Sequence, residues 1–354
     1  MQYFLQLCLQ SVAAAIQDLD AEIIVVDNNS NDGSCEMVKE FFPKVILIEN
    51  NDNYGFSKGN NIGVERSKGE YICILNPDTM VAEDTFKILL KFAESKDRLG
   101  IIGCKLIDGT GNYLPESKRN VPTPMVSLQK MIGNSRAYYA NRPKKDESGE
   151  VDILVGAFMF LRRQVFDKLK GFDEDYFMYG EDIDICYKAL KRGYKNYYYP
   201  KTTILHYKGE STLKDKIYAK RFYSAMQIFY KKHFKKNLFF DAFIWLGIKL
   251  ISIFHTKPKT IQKEIRNYIL VSDSLNSSLK KALKKNIDLY SDNYKLEDDH
   301  EIIFDSNKLS FKEILNRMDN LSTNSKLTFK IIPRNANFII GSDSSKLKGE
   351  VITF

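Results

Sequence analysis

The sequence has few cysteines and none in a paired motif. The five cysteines are odd in number and widely spaced, and no two form the C-x-x-C pattern that holds zinc or a redox disulfide. This absence argues against a disulfide framework and favours a reducing cytosol. The N-terminus also lacks a basic region followed by an apolar core and a small-residue cleavage site. We therefore expect no secretory signal and a cytoplasmic protein.

Long uninterrupted apolar runs are also scarce. The strongest, 238–254, is broken by Asp241, Gly247, Lys249 and Ser252, and lysines flank it on both sides. A membrane-spanning helix needs about twenty apolar residues, whereas a helix in the interface needs only an apolar face and basic flanks. The run therefore favours an interfacial helix, and a buried core helix is the alternative.

The net charge of +8 is unevenly distributed along the chain. From Lys188 to Lys259 there are 17 lysines and arginines against three acids, so the rest of the chain is net acidic. A basic block beside an apolar stretch favours anionic lipid head groups or a phosphorylated lipid over a nucleic-acid groove. We therefore expect a membrane surface as a partner and no nucleic acid. A solvated basic surface is the alternative.

The first half of the chain alternates between strand and helix patterns. A β-branched run at 22–26 ends in turn residues, and a helix at 34–41 and a strand at 45–48 complete a βαβ unit. The alternation continues through strands at 71–75 and 99–104. It predicts an α/β fold with a mostly parallel sheet that binds ligands at the carboxyl ends of its strands.

At 354 residues, the chain is long enough for one main domain and a smaller module. We assign 1–225 to the main domain, 226–262 to a basic and apolar membrane-associating helical segment, and 263–354 to a small C-terminal α/β module. The predicted strands and helix of that module lie at 301–304, 327–332, 337–340 and 310–318.

The first polar loop follows the strand at 22–26. Asp27 ends a hydrophobic strand where packing does not favour a carboxylate, so we expect it to bind a polar ligand. Asn29 and Asp32 lie in the same loop. Asp32 has an alternative role, because an aspartate before a helix often caps it.

A second loop, 53–61, places glycines, a lysine and amides at the mouth of a helix. Backbone N–H groups and the positive end of a helix dipole bind phosphate at such positions. The signal is weak when taken alone. The loop residues with suitable groups are Asn53, Gly55, Lys58 and Asn60.

Two further sites carry acids and a histidine. Asp78 follows a strand in a proline-stiffened turn, which suits a hard cation such as Mg²⁺ or Mn²⁺ bridging to a diphosphate, although an ordinary turn residue is the alternative. Paired with Asp78, His206 is predicted to be a second metal ligand. Glu181 and Asp182 begin a helix, whose dipole complements acids and also keeps a carboxylate ionised to accept a proton.

Together these loops resemble family 2 glycosyltransferases of the GT-A fold, especially the bacterial rhamnosyltransferase-like subgroup. The resemblance covers about two thirds of the chain, and the order and spacing of the motifs are more specific than any one of them. The matching segments are Ile24–Ser30, Asn53–Asn61, Leu75–Asp78, Gly156–Met159, Gly171–Glu174, Tyr179–Asp184 and His206–Ser211.

The resemblance implies a role for each predicted residue. The loops at 27–32 and 53–60 would bind a nucleoside-diphosphate sugar, and Asp78 and His206 would hold Mg²⁺ or Mn²⁺. Asp182 would be the general base, with Glu181 beside it at a lipid-linked or polysaccharide acceptor. The implied reaction is an inverting sugar transfer, with rhamnose as one possible sugar, at the inner face of a bacterial membrane during cell-surface glycan synthesis.

Two departures from the family pattern bear on this reading. The family opens with a complete first strand, whereas this chain starts in the helix that follows, so exposed sheet edges and impaired donor binding are expected. The residue two before Asp78 is Asn76 rather than an aspartate, and we do not count it as a ligand. A catalytically inactive paralogue that binds a partner in polysaccharide assembly is therefore the alternative function.

Overall fold

The computed structural model describes residues 1–131, 133–207, 216–234, 265–291, 294–322, 326–344 and 349–354. The helices are α1 Gln2–Ala15, α2 Ser34–Phe41, α3 Gly55–Arg66, α4 Thr85–Glu94, α5 Pro124–Met131, α6 Arg163–Leu169, α7 Glu181–Lys191, α8 Lys216–His233, α9 Ser277–Leu283 and α10 Phe311–Leu321. The strands are β1 Ile24–Asp27, β2 Ile46–Glu49, β3 Tyr71–Leu75, β4 Thr79–Met80, β5 Leu99–Ile107, β6 Gly149–Val151, β7 Phe158–Arg162, β8 Lys195–His206, β9 Asn267–Val271, β10 Ile287–Leu289, β11 His300–Asp305, β12 Thr328–Ile332, β13 Phe338–Gly341 and β14 Glu350–Thr353.

The main sheet of the N-terminal part is mixed. Its strand order is β3-β7-β5-β8-β4, with β6 paired to β8. Among the described strands of this sheet, only β5 and β8 pair in parallel. Strand β7 runs antiparallel to both β3 and β5, and β4 and β6 run antiparallel to β8. The α/β class is confirmed, but the prediction of a mostly parallel sheet is wrong. A continuous apolar run such as β7 packs equally well in either direction, so its composition did not show the reversal.

The βαβ unit near the N-terminus forms a separate small sheet. Strands β1 and β2 pair in parallel, in the register Ile24 to Ile46. Strand β3 lies at one end of the main sheet. Within the described residues no strand joins β1 to β3, so both edges are unpaired there. Unpaired edges at this place agree with the expectation drawn from the sequence.

Residues 265–354, termed here the C-terminal module, contain a sheet of order β10-β9-β11-β12-β13-β14. Strands β10, β9, β11 and β12 are parallel, and the last two pairings are antiparallel. The three strands and the helix predicted here are confirmed, and the sheet has further strands in β9, β10 and β14. Ser310 and Glu313 form a capping box at the start of α10, which explains why that helix was readable from sequence.

Most of the predicted membrane-associating segment, 226–262, lies outside the described residues. The apolar run at 238–254 lies outside the described residues. In the part of the chain that the structure describes, no helix is long and apolar enough to cross a membrane. The predicted boundary between residues 225 and 226 falls inside α8.

The C-terminal module contains a buried ion cluster. Lys330 is fully buried in β12, and its Nζ lies 2.8 Å from a carboxylate oxygen of Glu350 and 3.3 Å from one of Glu301. Glu301 is also fully buried, and Asp343 completes the cluster at 3.7 Å. Removing one partner of a buried ion pair leaves an uncompensated charge, which is more costly than replacing the whole pair.

We expect Lys330→Met to lower the free energy of unfolding by about 3–5 kcal/mol, because methionine fills the space but leaves Glu301 unpaired. The measurement is urea unfolding of the full chain at neutral pH. Lys308→Met is the matched control, since Lys308 pairs with Asp273 at the surface. Equal effects of the two substitutions would contradict a structural role for the buried cluster.

Candidate active site

The first two predicted ligand loops are joined by asparagine side chains. Asn28 donates from Nδ2 to the carbonyl of Gly55 at 3.0 Å and accepts at Oδ1 from Asn50. Gly55 has φ +79°, which favours glycine, and a Cβ there would lie 2.3 Å from the carbonyl oxygen of Phe177. The amide of Phe56 donates to that same carbonyl at 2.7 Å. The loop at 53–60 is thus fixed between β1 and the segment that precedes α7.

The other residues predicted for nucleotide binding lie around these loops. Asp27 is buried at the end of β1, and its Oδ2 accepts from the amide of Ser30 at 2.8 Å. Asn29 is exposed, with φ +62°. Asp32 accepts from the amide and hydroxyl of Ser34 and pairs with the N-terminal ammonium of Met1 at 2.9 Å, but the N-cap residue of α2 is Gly33, and no side chain caps the helix. The nucleotide role of these residues stays a prediction.

The polar side chains of the loop at 53–60 differ in their contacts. The Oδ1 of Asn53 accepts from the amide of Gly55 at 3.0 Å and so helps to shape the turn before α3. Lys58 is exposed, and its Nζ lies 4.5 Å from the ring centroid of Tyr54. Asn60 donates to the carbonyl of Phe56 within the helix. Lys58 is therefore the exposed cation of this loop, and its role in binding phosphate stays a prediction.

The structure brings Asp78 and His206 together. Strand β4 begins directly after Asp78 and pairs with the end of β8, so that Thr79 lies opposite His206. The amide of Tyr207 donates to the carbonyl of Asp78 at 3.0 Å, and the Nε2 of His206 lies 3.4 Å from Oδ1 of Asp78. Both side chains are buried. Residues 128 positions apart in the chain thus meet at one sheet edge, as the resemblance implied.

This pair fits a divalent metal. A carboxylate oxygen and an imidazole nitrogen are both ligands for Mn²⁺, and neighbouring ligands of one octahedral ion at about 2.1 Å lie roughly 3 Å apart. The observed 3.4 Å is close to that separation. Nε2 is the nitrogen of His206 that faces the carboxylate, and it also lies 3.4 Å from Nδ2 of Asn76. Nδ1 is buried and has no hydrogen-bond partner among the described residues.

The acid pair at the start of α7 is buried and anchored by an arginine. The guanidinium of Arg119 donates to Oδ2 of Asp182 at 2.5 Å, and the amide of Gly156 donates to the same oxygen at 3.1 Å. Burial, and after it the charge of Asp182, raise the pKa of Glu181 to about 8. Near pH 7 Glu181 is therefore mostly protonated. The guanidinium of Arg119 faces the other member of the pair, Asp182.

A short segment before β7 connects the two clusters. The amide of Asn76, two residues before Asp78, donates to the carbonyl of Ala157 at 3.0 Å. The neighbouring Gly156 contacts Asp182 as described above, and a Cβ at Gly156 would lie 3.3 Å from the Cβ of Asp182 and 3.5 Å from the ring of Phe56. The segment 156–157 therefore contacts the turn that carries Asp78 and the acid pair, and lies close to Phe56 of the loop at 53–60.

Sequence reasoning missed the residues that hold α7 in place. Arg119 lies between β5 and α5 in a stretch with no periodic pattern, so nothing in the sequence marked it. His233, at the end of α8, contacts Oδ1 of Asp184 through Nε2 at 2.6 Å, and Lys188 contacts Oδ2 of Asp184 at 3.0 Å. The acids in the first turn of α7 were the available signal in the sequence. A carboxylate that is buried at such a position needs a cationic partner, so these acids could have prompted a search for one.

Comparison with known proteins gives a family match for part of the chain. Residues 3–170 match the family model described as glycosyl transferase family 2. The matched residues make up just under half of the chain and carry the loops at 27–32 and 53–60 and Asp78. The acid pair and His206 lie beyond the matched residues.

Two curated relatives are rhamnosyltransferases by name. The N-acetylglucosaminyl-diphospho-decaprenol L-rhamnosyltransferase of Mycobacterium tuberculosis is 27% identical over 211 residues, which is 54% of this chain and 68% of that protein. Rhamnosyltransferase WbbL of Escherichia coli K12 is 32% identical over 166 residues, 44% of this chain and 61% of WbbL. The chain thus spans about two thirds of the length of these relatives.

Solved structures of glycosyltransferases are also similar in part. The mannosyltransferase PcManGT from Pyrobaculum calidifontis, solved with GDP-Man and Mn²⁺, has a TM-score of 0.46 and 16% identity, over 73% of this chain and 74% of that one. GalNAc-T7, solved with UDP, GalNAc and Mn²⁺, has a TM-score of 0.44 and 18% identity, over 56% of this chain and 41% of that one.

Proposed function

We propose that the chain transfers a sugar from a nucleoside-diphosphate donor to a lipid-linked or polysaccharide acceptor in cell-surface glycan synthesis. The match of residues 3–170 to the family model of glycosyl transferase family 2 supports the reaction class. The Mycobacterium tuberculosis relative is named for rhamnosyl transfer to a diphospho-decaprenol acceptor, which supports rhamnose as the sugar and a lipid diphosphate as the acceptor. The basic and apolar sequence at 226–262 supports a location at the inner face of the cytoplasmic membrane.

The observation that carries the proposal is that one short segment, Gly156 and Ala157, contacts both the acid pair of α7 and the turn that carries Asp78. Glycosyl transfer from a diphosphate donor needs both a site that neutralises the departing diphosphate and a group that accepts the proton of the acceptor hydroxyl.

We assign to these residues the roles that the family resemblance implies. Asp78 and His206 would hold Mn²⁺ or Mg²⁺, which neutralises charge on the departing diphosphate. The acceptor oxygen would form its bond to the anomeric carbon as the bond to the diphosphate breaks on the opposite face, with inversion. Asp182 would accept the hydroxyl proton, and Arg119 would hold Asp182 in position.

The test is to incubate the protein with Mn²⁺ or Mg²⁺ and a panel of nucleotide sugars, and to measure nucleoside-diphosphate release with and without a lipid-linked acceptor. We expect release from one donor class that rises when acceptor is added and stops with a chelator. Absence of release by folded protein across donors and acceptors would overturn the proposal and favour the inactive binding paralogue.

A further inference from the structure

We propose that the C-terminal module is a positioning element of the metal site, which it holds by docking against the strand that follows Asp78. This inference rests on the proposed function, because it assigns a role toward the metal that Asp78 and His206 would bind. The family match ends at residue 170 and assigns no role to the module.

The first observation is a shared hydrophobic core. Met80, two residues after Asp78, and Tyr207, directly after His206, are buried in one apolar cluster with Phe304 of β11 and Phe311 of α10. Strand β4 is the last strand of its sheet, so β8 is its one strand neighbour among the described residues. Packing from the module therefore replaces the support that a further strand would give.

The second observation is a helix cap that crosses between the two parts of the chain. Glu83 follows β4 closely, and its carboxylate accepts from the amides of Phe311 at 2.8 Å and Lys312 at 2.9 Å. These amides belong to the first turn of α10, where no partner exists within the helix. A carboxylate is also favoured there by the helix dipole. Glu83 therefore fixes the segment after Asp78 to the start of α10.

Helix α1 adds a third connection. Ser11 accepts from the amide of Val81 at 3.1 Å, so that α1 is bonded to the chain just after β4. The preceding residue, Gln10, donates to the carbonyl of Arg334 and accepts from the amide of Arg334, both at 2.8 Å. The ring of Phe4 also packs edge-on against Tyr207 at 4.9 Å between centroids. The same helix thus contacts both metal-carrying segments and the module.

A buried ion pair forms a further contact between α10 and the main sheet. Lys105 of β5 is buried, and its Nζ lies 2.7 Å from Asp319 of α10 and 2.7 Å from Asp146. This contact holds α10 at a second point, away from Glu83. With two fixed points, α10 cannot pivot on the sheet without breaking one of them, so the position of β4 is set by the module.

The experiment compares metal binding by full-length variants. We expect Glu83→Ala to weaken the binding of Mn²⁺ in the presence of thymidine diphosphate by about tenfold, as removal of groups that orient metal ligands commonly does. Binding is measured from the electron paramagnetic resonance signal of free Mn²⁺, which does not require turnover. Glu83→Gln keeps one oxygen acceptor, and we expect an intermediate affinity.

Controls separate positioning from a general loss of stability. Asp18→Ala is the matched control, because Asp18 lines the same cleft as Glu83 but pairs with Lys87 of the same domain. Asp319→Asn loosens the docking from the module side, at the contact with Lys105, and should weaken Mn²⁺ binding in the same direction. Hydrogen exchange should rise at the amides of Phe311 and Lys312 in Glu83→Ala.

The outcomes distinguish this inference from the function on which it rests. If the unsubstituted protein binds no Mn²⁺ with nucleotide, the proposed metal site fails, and the inference fails with it. If that protein binds Mn²⁺ and Glu83→Ala binds it equally well while the amides of Phe311 and Lys312 exchange faster, the positioning role alone is overturned. A loss shared by Asp18→Ala would overturn it too.

Discussion

Replacing Asp78 by asparagine is expected to lower metal-dependent nucleoside-diphosphate release by about 10³-fold. Asparagine keeps the size of the side chain but removes the charge that faces His206 across 3.4 Å. A divalent ion that neutralises a departing diphosphate contributes several kcal/mol, and each step of about 1.4 kcal/mol is tenfold in rate. The initial rate of release at saturating donor measures the effect.

A double-mutant cycle with His206→Ala tests whether the two residues hold the same ion. If they do, the double variant should lose little more than the worse single variant, because either substitution already removes the ion. Asp167→Asn is the control, since Asp167 is exposed on α6 away from the site. Effects that simply add, or chelator-resistant release by Asp78→Asn, would show that the pair does not form a metal site.

The elements that could be predicted from the sequence are those whose pattern is local. Helix α2 and strand β3 begin and end at the predicted residues. Each is a short segment with a single hydrophobic periodicity and turn residues at its ends. Its secondary structure can therefore be predicted without knowledge of tertiary contacts. In the C-terminal module, β9 was missed because the stretch around it is rich in lysine, and only its partners β10 and β11 show that 267–271 is a central strand.

Strand direction and pairing are not local properties. The apolar run of β7 reads the same in a parallel or an antiparallel sheet, and only its insertion between β3 and β5 determines the outcome. The contact between Asp78 and His206 is not a local property either, because it depends on the register of β4 against the end of β8. The sequence led to that pair through the resemblance, not through spacing. Arg119 had neither a pattern nor a motif to mark it.

The acid pair of α7 gives the second large effect. We expect Asp182→Asn to lower the rate of transfer by about 10²–10⁴-fold, the usual contribution of a positioned general base. Glu181→Gln should cost much less near pH 7, because glutamine resembles the protonated carboxyl that the raised pKa of Glu181, about 8, favours there. Rates of transfer to acceptor, measured for both variants at pH 7, check this order. The reverse order would make Glu181 the proton acceptor.

The pH dependence separates the two acids further. As the pH rises through about 8, Glu181 ionises and places a second negative charge beside Asp182 in a buried site. We expect kcat/KM of the unsubstituted protein to fall there, because a second charge repels an anionic acceptor, and we expect no such fall in Glu181→Gln. A fall that persists in Glu181→Gln would belong to another group.

Stability should report the same titration without any substrate. In the unfolded chain Glu181 ionises near its ordinary pKa of 4.5, whereas in the folded protein it does so near 8. Between these values the folded state binds more protons than the unfolded state, so stability falls as the pH rises through this window. Glu181→Gln removes that penalty. Its gain in stability over the unsubstituted protein should therefore be larger at pH 8.5 than at pH 5, and a constant difference across this range would mean that Glu181 ionises freely in the fold.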